Sequence, residues 1–274
     1  MLRKIKRGQF ERFLGQFIMS SKRTETPTKT EDRVPAKKRK LSETKLKSSP
    51  KSAKATPSKT GDKQRKKTPK DQDTNKGNTD NADVEIKRDK QGKLVFPDYP
   101  DFKPNLTPKE VMQAGSFGGT YFRPISSAIT GERYSGVWKE FPSDWFEGLT
   151  IGTQVASSKY NKDVNTYKVK CGGSLEMWES SGWINKQDPY GWFQWYCRFY
   201  LGRRTDDDER QIGRWCRCAG VKGRWRNNLI TKIVKNGCGY DNAGISPVVR
   251  QTLQHWAYKL TKEDFEKHAK KLRK

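Results

Sequence analysis

The 274-residue chain has only two histidines, His255 and His268, so no Ser-His-Asp or Cys-His set can be assigned to it. No run of about 18 apolar residues occurs, and no membrane span is expected. The basic start is not followed by an apolar core and a small-residue cleavage site, so a secretory signal is not expected either. Cysteine is sparse: there are five, all between Cys171 and Cys238. An odd, scattered set makes no disulfide framework, and reduced thiols of a cytosolic or nuclear protein are the simpler reading. Zinc is not expected, because Cys216-Arg217-Cys218 followed by a lone Cys238, even with Cys197 and His255, lacks the paired spacing of structural sites. Nothing else in the chain calls for a metal or a cofactor.

Aromatic residues are missing from the first part of the chain, where residues 1–90 contain no Trp and no Tyr. What that part has instead is charge, 27 Lys and Arg against 12 Asp and Glu, for a net +15 of the total +26. With little to bury, it cannot offset the entropy of ordering, and a disordered basic tail is expected over residues 1–90. The opening MLRKIKRGQFERFLGQFIM is basic and amphipathic; it fits a mitochondrial presequence, or an extension ahead of a start at Met19. Farther on, Lys37, Lys38, Arg39 and Lys40 beside Pro35 form a compact basic block, and Lys63-Gln-Arg65-Lys66-Lys67 forms another. Such blocks suit a nuclear import receptor or nucleic-acid phosphates, whereas a plain solvated charge run predicts neither. The pairs Thr26-Pro27, Ser49-Pro50, Thr56-Pro57 and Thr68-Pro69 are candidate phosphorylation sites that would lower the tail's charge.

Residues 91–274 hold all nine Trp and all ten Tyr, enough for a single folded domain. The expected class is mainly α with a small β element. Phe96-Pro97-Asp98-Tyr99-Pro100-Asp101-Phe102 should run extended and lay its rings on the domain surface. Thr107-Pro108-Lys109-Glu110 carries a helix start, with Thr as cap, Pro at the first position and Glu at the capping-box spacing. The glycine cluster Gly115-Ser116-Phe117-Gly118-Gly119 follows that helix instead of preceding one, so it reads as a tight turn and not as a phosphate cradle. The alternation Tyr167-Lys168-Val169-Lys170-Cys171 predicts a half-exposed strand. Ser174 is expected to cap a short helix that Gly182 ends.

The densest stretch is Asp188–Ile233. Asp188-Pro189 is read as a helix start, and the helix that follows, apolar on most sides through Trp192, Trp195, Tyr196 and Phe199, should be central. Thr205 should cap a second helix with Asp206, Asp207 and Asp208 in its first turn. Those acids could hold Mg2+, but consecutive helical positions diverge, and capping plus pairing with Arg203, Arg204 and Arg210 is the blander account. Arg210, Arg214 and Arg217 recur at i, i+4, i+7 and should form an exposed stripe. A third helix buries Trp225, Leu229, Ile230 and Ile233 and exposes Arg224, Asn228, Lys232 and Lys235. Further helices start at Ser246-Pro247 and at Thr261, the first of them leaving Arg250, Gln251, Gln254, His255 and Tyr258 outside or in a cleft.

Two basic helices joined by a glycine-bearing turn outline a helix-turn-helix, although the turn is longer than usual. The expected function is therefore binding of DNA or RNA in the nucleus, through phosphates, by Arg210, Arg214, Arg217, Arg224, Asn228 and Lys232 together with the basic tail. Two other readings stay open. One is an enzyme acting on an anionic or nucleotide substrate in a cleft of Arg198, Arg203, Arg210, Arg250, Gln254 and His255, with His255 as general acid or base. The other is a protein-interaction module whose tail supplies a nuclear address; the cytoplasm is the alternative location.

The words FPDYPDF, SFGGTYFRPI, QDPYGWFQWYCRFYLGRRTDDDERQIGRW, KGRWRNNLI and SPVVRQTLQHW together resemble a family of small proteins from fungi and algae, some labelled vegetative cell wall glycoprotein. The resemblance covers about residues 95–265 and implies a shared fold. It implies no catalytic residues, and the tail lies outside it.

Overall fold

Residues 192–200 are apolar on nearly every side, and in a computed structural model of the chain, which describes residues 86–273, they form the helix around which the others pack. Seven α-helices are present among the described residues: α1 (Pro108–Gln113), α2 (Leu175–Ser180), α3 (Trp192–Tyr200), α4 (Asp208–Cys218), α5 (Arg224–Lys235), α6 (Pro247–His255) and α7 (Lys262–Leu272). A two-stranded antiparallel sheet, β1 (Ile125–Ser126) with β2 (Arg133–Tyr134), is the small β element. The fold is mainly helical with a minor sheet, as expected. The tail, with Lys37, Lys38, Arg39 and Lys40, lies outside the described residues.

α3 owes its burial to its composition. Trp195, Tyr196 and Phe199 are fully buried, and Phe193, Gln194 and Cys197 nearly so. Its start differs from the expected one. Asp188 does not cap it; the helix begins at Trp192 behind Gly191, whose φ of 86° and ψ of −150° suit glycine. The first-turn amide of Gln194, which Asp188 was expected to serve, donates instead to the Tyr121 hydroxyl at 2.9 Å, while the Gln194 side chain accepts the Tyr190 N–H at 3.0 Å. Asp188 is instead fully buried, its carboxylate held by Arg198 and Arg203.

The proline-aromatic segment also departs from expectation. Phe96 and Phe102 do not lie on the surface but insert beneath it, because an all-round apolar helix needs cover on its outer side. The Phe102 ring touches those of Trp195, Tyr196, Phe199 and Trp215, with centroids 5.2–5.9 Å apart. The expected strand at 167–171 is absent: Lys168 takes φ of 53°, and the Cys171 N–H donates to the Tyr160 hydroxyl rather than to a neighbouring strand. Alternation alone cannot create a strand without an edge to pair with.

Helix starts at the other positions follow the sequence closely. Thr107 and Glu110 form the full capping box, Ser174 caps α2, and the Thr261 side chain accepts the Asp264 N–H. α4 begins three residues after Thr205, whose N–H and hydroxyl both donate to the Asp208 carboxylate. α5 packs against α4, α6 and α7.

Candidate nucleic-acid interface

Charge is unevenly divided along the folded part. Residues 217–273 carry 13 Lys and Arg against four Asp and Glu, whereas residues 86–216 carry 19 against 16. The excess therefore belongs to the helices α5 to α7, and burial decides how much of it faces water.

Of the residues expected to contact nucleic acid, those on α5 lie where the sequence put them. Arg224 and Asn228 are exposed, Lys232 is half-exposed and Lys235 is exposed, so one stripe runs the length of the helix. The opposite side buries Trp225, Leu229, Ile230 and Ile233. The Arg224 guanidinium lies 5.7 Å from the Trp225 ring centroid. α7 packs beside α5 and adds exposed Lys267, Lys270 and Lys271. Sequence reasoning gave these lysines no contact role; the basic run from Lys267 to Lys274, on a helix whose start Thr261 caps, was the signal that pointed to them.

The seam between the two helices is tied by a buried carboxylate. Asp264 takes Arg226 at 2.9 Å and Lys93 at 2.9 Å, and accepts the Tyr258 hydroxyl at 2.8 Å. Burial works against the charged carboxylate, but Lys93, Arg226 and Tyr258 outweigh it and hold Asp264 below the usual range. His268 is shifted down by burial and by the charges of Arg226 and Lys271, so this side of α7 is a positive environment.

The stripe expected on α4 does not exist as such. Arg217 is exposed, but Arg210 is half-buried and donates through Nε and Nη2 to the two carboxylate oxygens of Asp207, and Arg214 is buried. The i, i+4, i+7 spacing is right; the far side of α4 is covered by Trp183 and Trp256, which the helix's own periodicity cannot reveal. α4 and α5 thus present one basic helix face and not two.

The expected cleft is likewise closed. Arg198 bridges Asp188 and Glu140, Arg203 holds Asp188, and neither turns toward α6 residues. Arg250, Gln251, Gln254, His255 and Tyr258 are all buried. Arg250 donates to the carbonyls of Ile245 and Tyr240, and Gln254 to the Gly115 carbonyl and the Ser116 hydroxyl. The His255 ring stacks on Phe117 with centroids 4.1 Å apart, and its Nε2 accepts the Phe117 N–H at 2.9 Å. Burial pushes its pKa down to about 3, so it stays neutral and is a hydrogen-bond acceptor for the loop. The cavity beside Arg250 and Gln254 has a volume of about 10 Å³, room for no more than a water.

The glycine cluster is a turn, as read. Gly118 N–H donates to Asn165, and Gly119 N–H to the Ser116 carbonyl, so these amides are already engaged within the chain. Among the described residues no group of three or more His, Cys, Asp or Glu could hold a metal ion, and no helix is long and apolar enough to cross a membrane. No protein-family model, curated protein or solved structure matches the chain.

Proposed function

We propose that the chain binds nucleic acid through its phosphates, with the α5 stripe and the lysines of α7 as the contact face and the basic tail as a second source of charge, and that it works in the nucleus. The observation that carries this reading is the outward stripe of Arg224, Asn228, Lys232 and Lys235, flanked by Lys267, Lys270 and Lys271 on the neighbouring helix. Cations in such a row release counterions from a phosphate backbone, which supplies affinity without sequence choice. Asn228 sits in the middle of the row, where its amide can pair with a base edge. The block at Lys37–Lys40 supports the nuclear address through an import receptor.

The test is fluorescence anisotropy of the full chain against duplex DNA, single-stranded DNA and RNA at several salt concentrations. Lys232→Ala with Lys235→Ala is expected to lower the log-log salt slope by roughly 1.8 on duplex DNA, or by roughly 1.4 on a single strand, without lowering Tm. A slope left unchanged would remove this face from the site. Pull-down that recovers a protein partner after nuclease treatment would favour the interaction module instead.

A further inference from the structure

Three arginines keep a buried Nε–H with no acceptor: the half-buried Arg203 and the buried Arg214 and Arg226. Two of them are ion-paired, Arg203 to Asp188 and Arg226 to Asp264. Arg214 differs. It is 8% exposed, and among the described residues no carboxylate lies within ion-pair distance of it. Asp207, the residue at the start of its helix whose charge acts on it, is taken by Arg210 and by the Gln211 amide.

The guanidinium of Arg214 is used on one side alone. Its Nη1 donates to the Trp183 carbonyl at 3.3 Å and to Gln211 Oε1 at 2.8 Å. Nε and Nη2 are left over, and they form the edge of the fork that receives an oxyanion with two parallel hydrogen bonds. The group lies between two indoles, 5.8 Å from the Trp183 centroid and 5.4 Å from that of Trp256. Beside Trp256, at 4.6 Å between centroids, is Trp192, whose buried Nε1–H also has no acceptor. Donors without acceptors therefore collect around one ring.

Burial, followed by the charge of Arg210, lowers the Arg214 pKa to about 9, which still leaves it charged at neutral pH. A buried cation that keeps its proton at neutral pH and has no counterion is a standing cost to the fold. An anion bound there removes that cost. Arg210 and Arg217 on the same helix make the surroundings positive beyond what Asp207 offsets, which favours a dianion over a single carboxylate.

We propose that the Nε–Nη2 edge of Arg214, set between Trp183 and Trp256, is a binding site for a phosphate group, supplied by free phosphate or by the phosphorylated end of a nucleic-acid strand. This site is on α4 and stands apart from the α5 face, so either can fail without the other.

The experiment is thermal unfolding of the full chain in inorganic phosphate against sodium chloride of equal ionic strength, for the wild type, Arg214→Met and Lys232→Ala with Lys235→Ala. Stabilisation by phosphate through exclusion from the surface is common to all three and drops out of the comparison. Expected is a phosphate-specific rise in Tm for the wild type and the lysine variant that is lost in Arg214→Met. Met should itself fold, since an apolar chain in place of an uncompensated buried charge is neutral or stabilising. Should it not fold, Arg214→Lys keeps the charge without the fork and is expected to need at least tenfold more phosphate for half of the shift. A rise of equal size in the wild type and the folded Arg214 variants, or no rise in the wild type, would overturn the proposal. A matched pair of oligonucleotides with and without a 5′-phosphate separates the sources: an Arg214-dependent preference for the phosphorylated strand identifies a nucleic-acid end, and no preference identifies free phosphate.

Discussion

His255 illustrates what a single side chain can conceal. Both the Phe117 N–H and the Gln251 amide approach its Nε2, so the folded state needs the neutral ring. Its pKa, about 3 when folded, lies below the ordinary value near 6.5, so the unfolded chain binds the proton more readily. The stability it contributes is fully present above pH 6.5 and is lost as pH falls toward 3, on the order of 4 kcal/mol in the limit. His255→Gln, which keeps a neutral acceptor, should flatten the dependence of unfolding free energy on pH between 6.5 and 4.5; an identical slope would mean that the ring is not neutral in the fold. The sequence placed His255, Gln254 and Gln251 on an outer face because they fall off the apolar stripe of α6. Polar side chains can be interior when a loop offers backbone partners, and nothing in helical spacing announces the loop. The same blindness hid Arg214, whose exposure depended on two tryptophans, Trp183 and Trp256, distant from it in sequence.

Elements were legible wherever their ends were written in local chemistry. Thr107, Ser174 and Thr261 cap the helices expected of them, because a cap needs only residues three positions apart. Asp188 misled because it has the chemistry of a cap but is needed by Arg198 and Arg203 farther along. The strand at 167–171 failed because a strand is made by its partner, and that partner does not exist. The turn after α1 was readable from its glycines, and the structure gives their reason: a Cβ on Gly119 would lie 2.1 Å from the Thr153 carbonyl oxygen, in a backbone with φ of 75°. Gly119→Ala should therefore cost about 3 kcal/mol or more in urea unfolding, through the clash and the positive φ together. A loss below about 1 kcal/mol would show that this turn relaxes freely. On α5 the stripe was legible because an amphipathic helix shows its outer face directly, and that is the part of the candidate site that survived.

At the scale of the whole molecule, the beginning of the described chain is fastened to its end. Asn105 and Leu106 donate their N–H groups to the Ala257 carbonyl, and Lys93 reaches the Asp264 that Arg226 also holds. Asp264→Asn leaves buried Arg226 and partly buried Lys93 facing a neutral amide and should cost about 3–5 kcal/mol. Because the clasp is shared, hydrogen exchange should speed at the Leu106 amide as well as along α7; protection kept at Leu106 would show that the two ends are held separately. Mainly helical class and a Trp-rich core were readable from composition, but this closure was not, since it joins Lys93 to an aspartate 171 positions away.

That clasp also orders events in time. A chain leaves the ribosome from its first residue onward, at about 5–20 residues per second, so Phe96, Phe102 and Lys93 are made roughly ten to thirty seconds before Ala257 and Asp264. The rings of the opening segment find their seat only once Trp195 to Trp215 have followed, about 100 residues later, and the clasp itself closes at the end of synthesis or after it. A nascent chain of this protein is thus a natural client for whatever shields exposed aromatic surface in the cell.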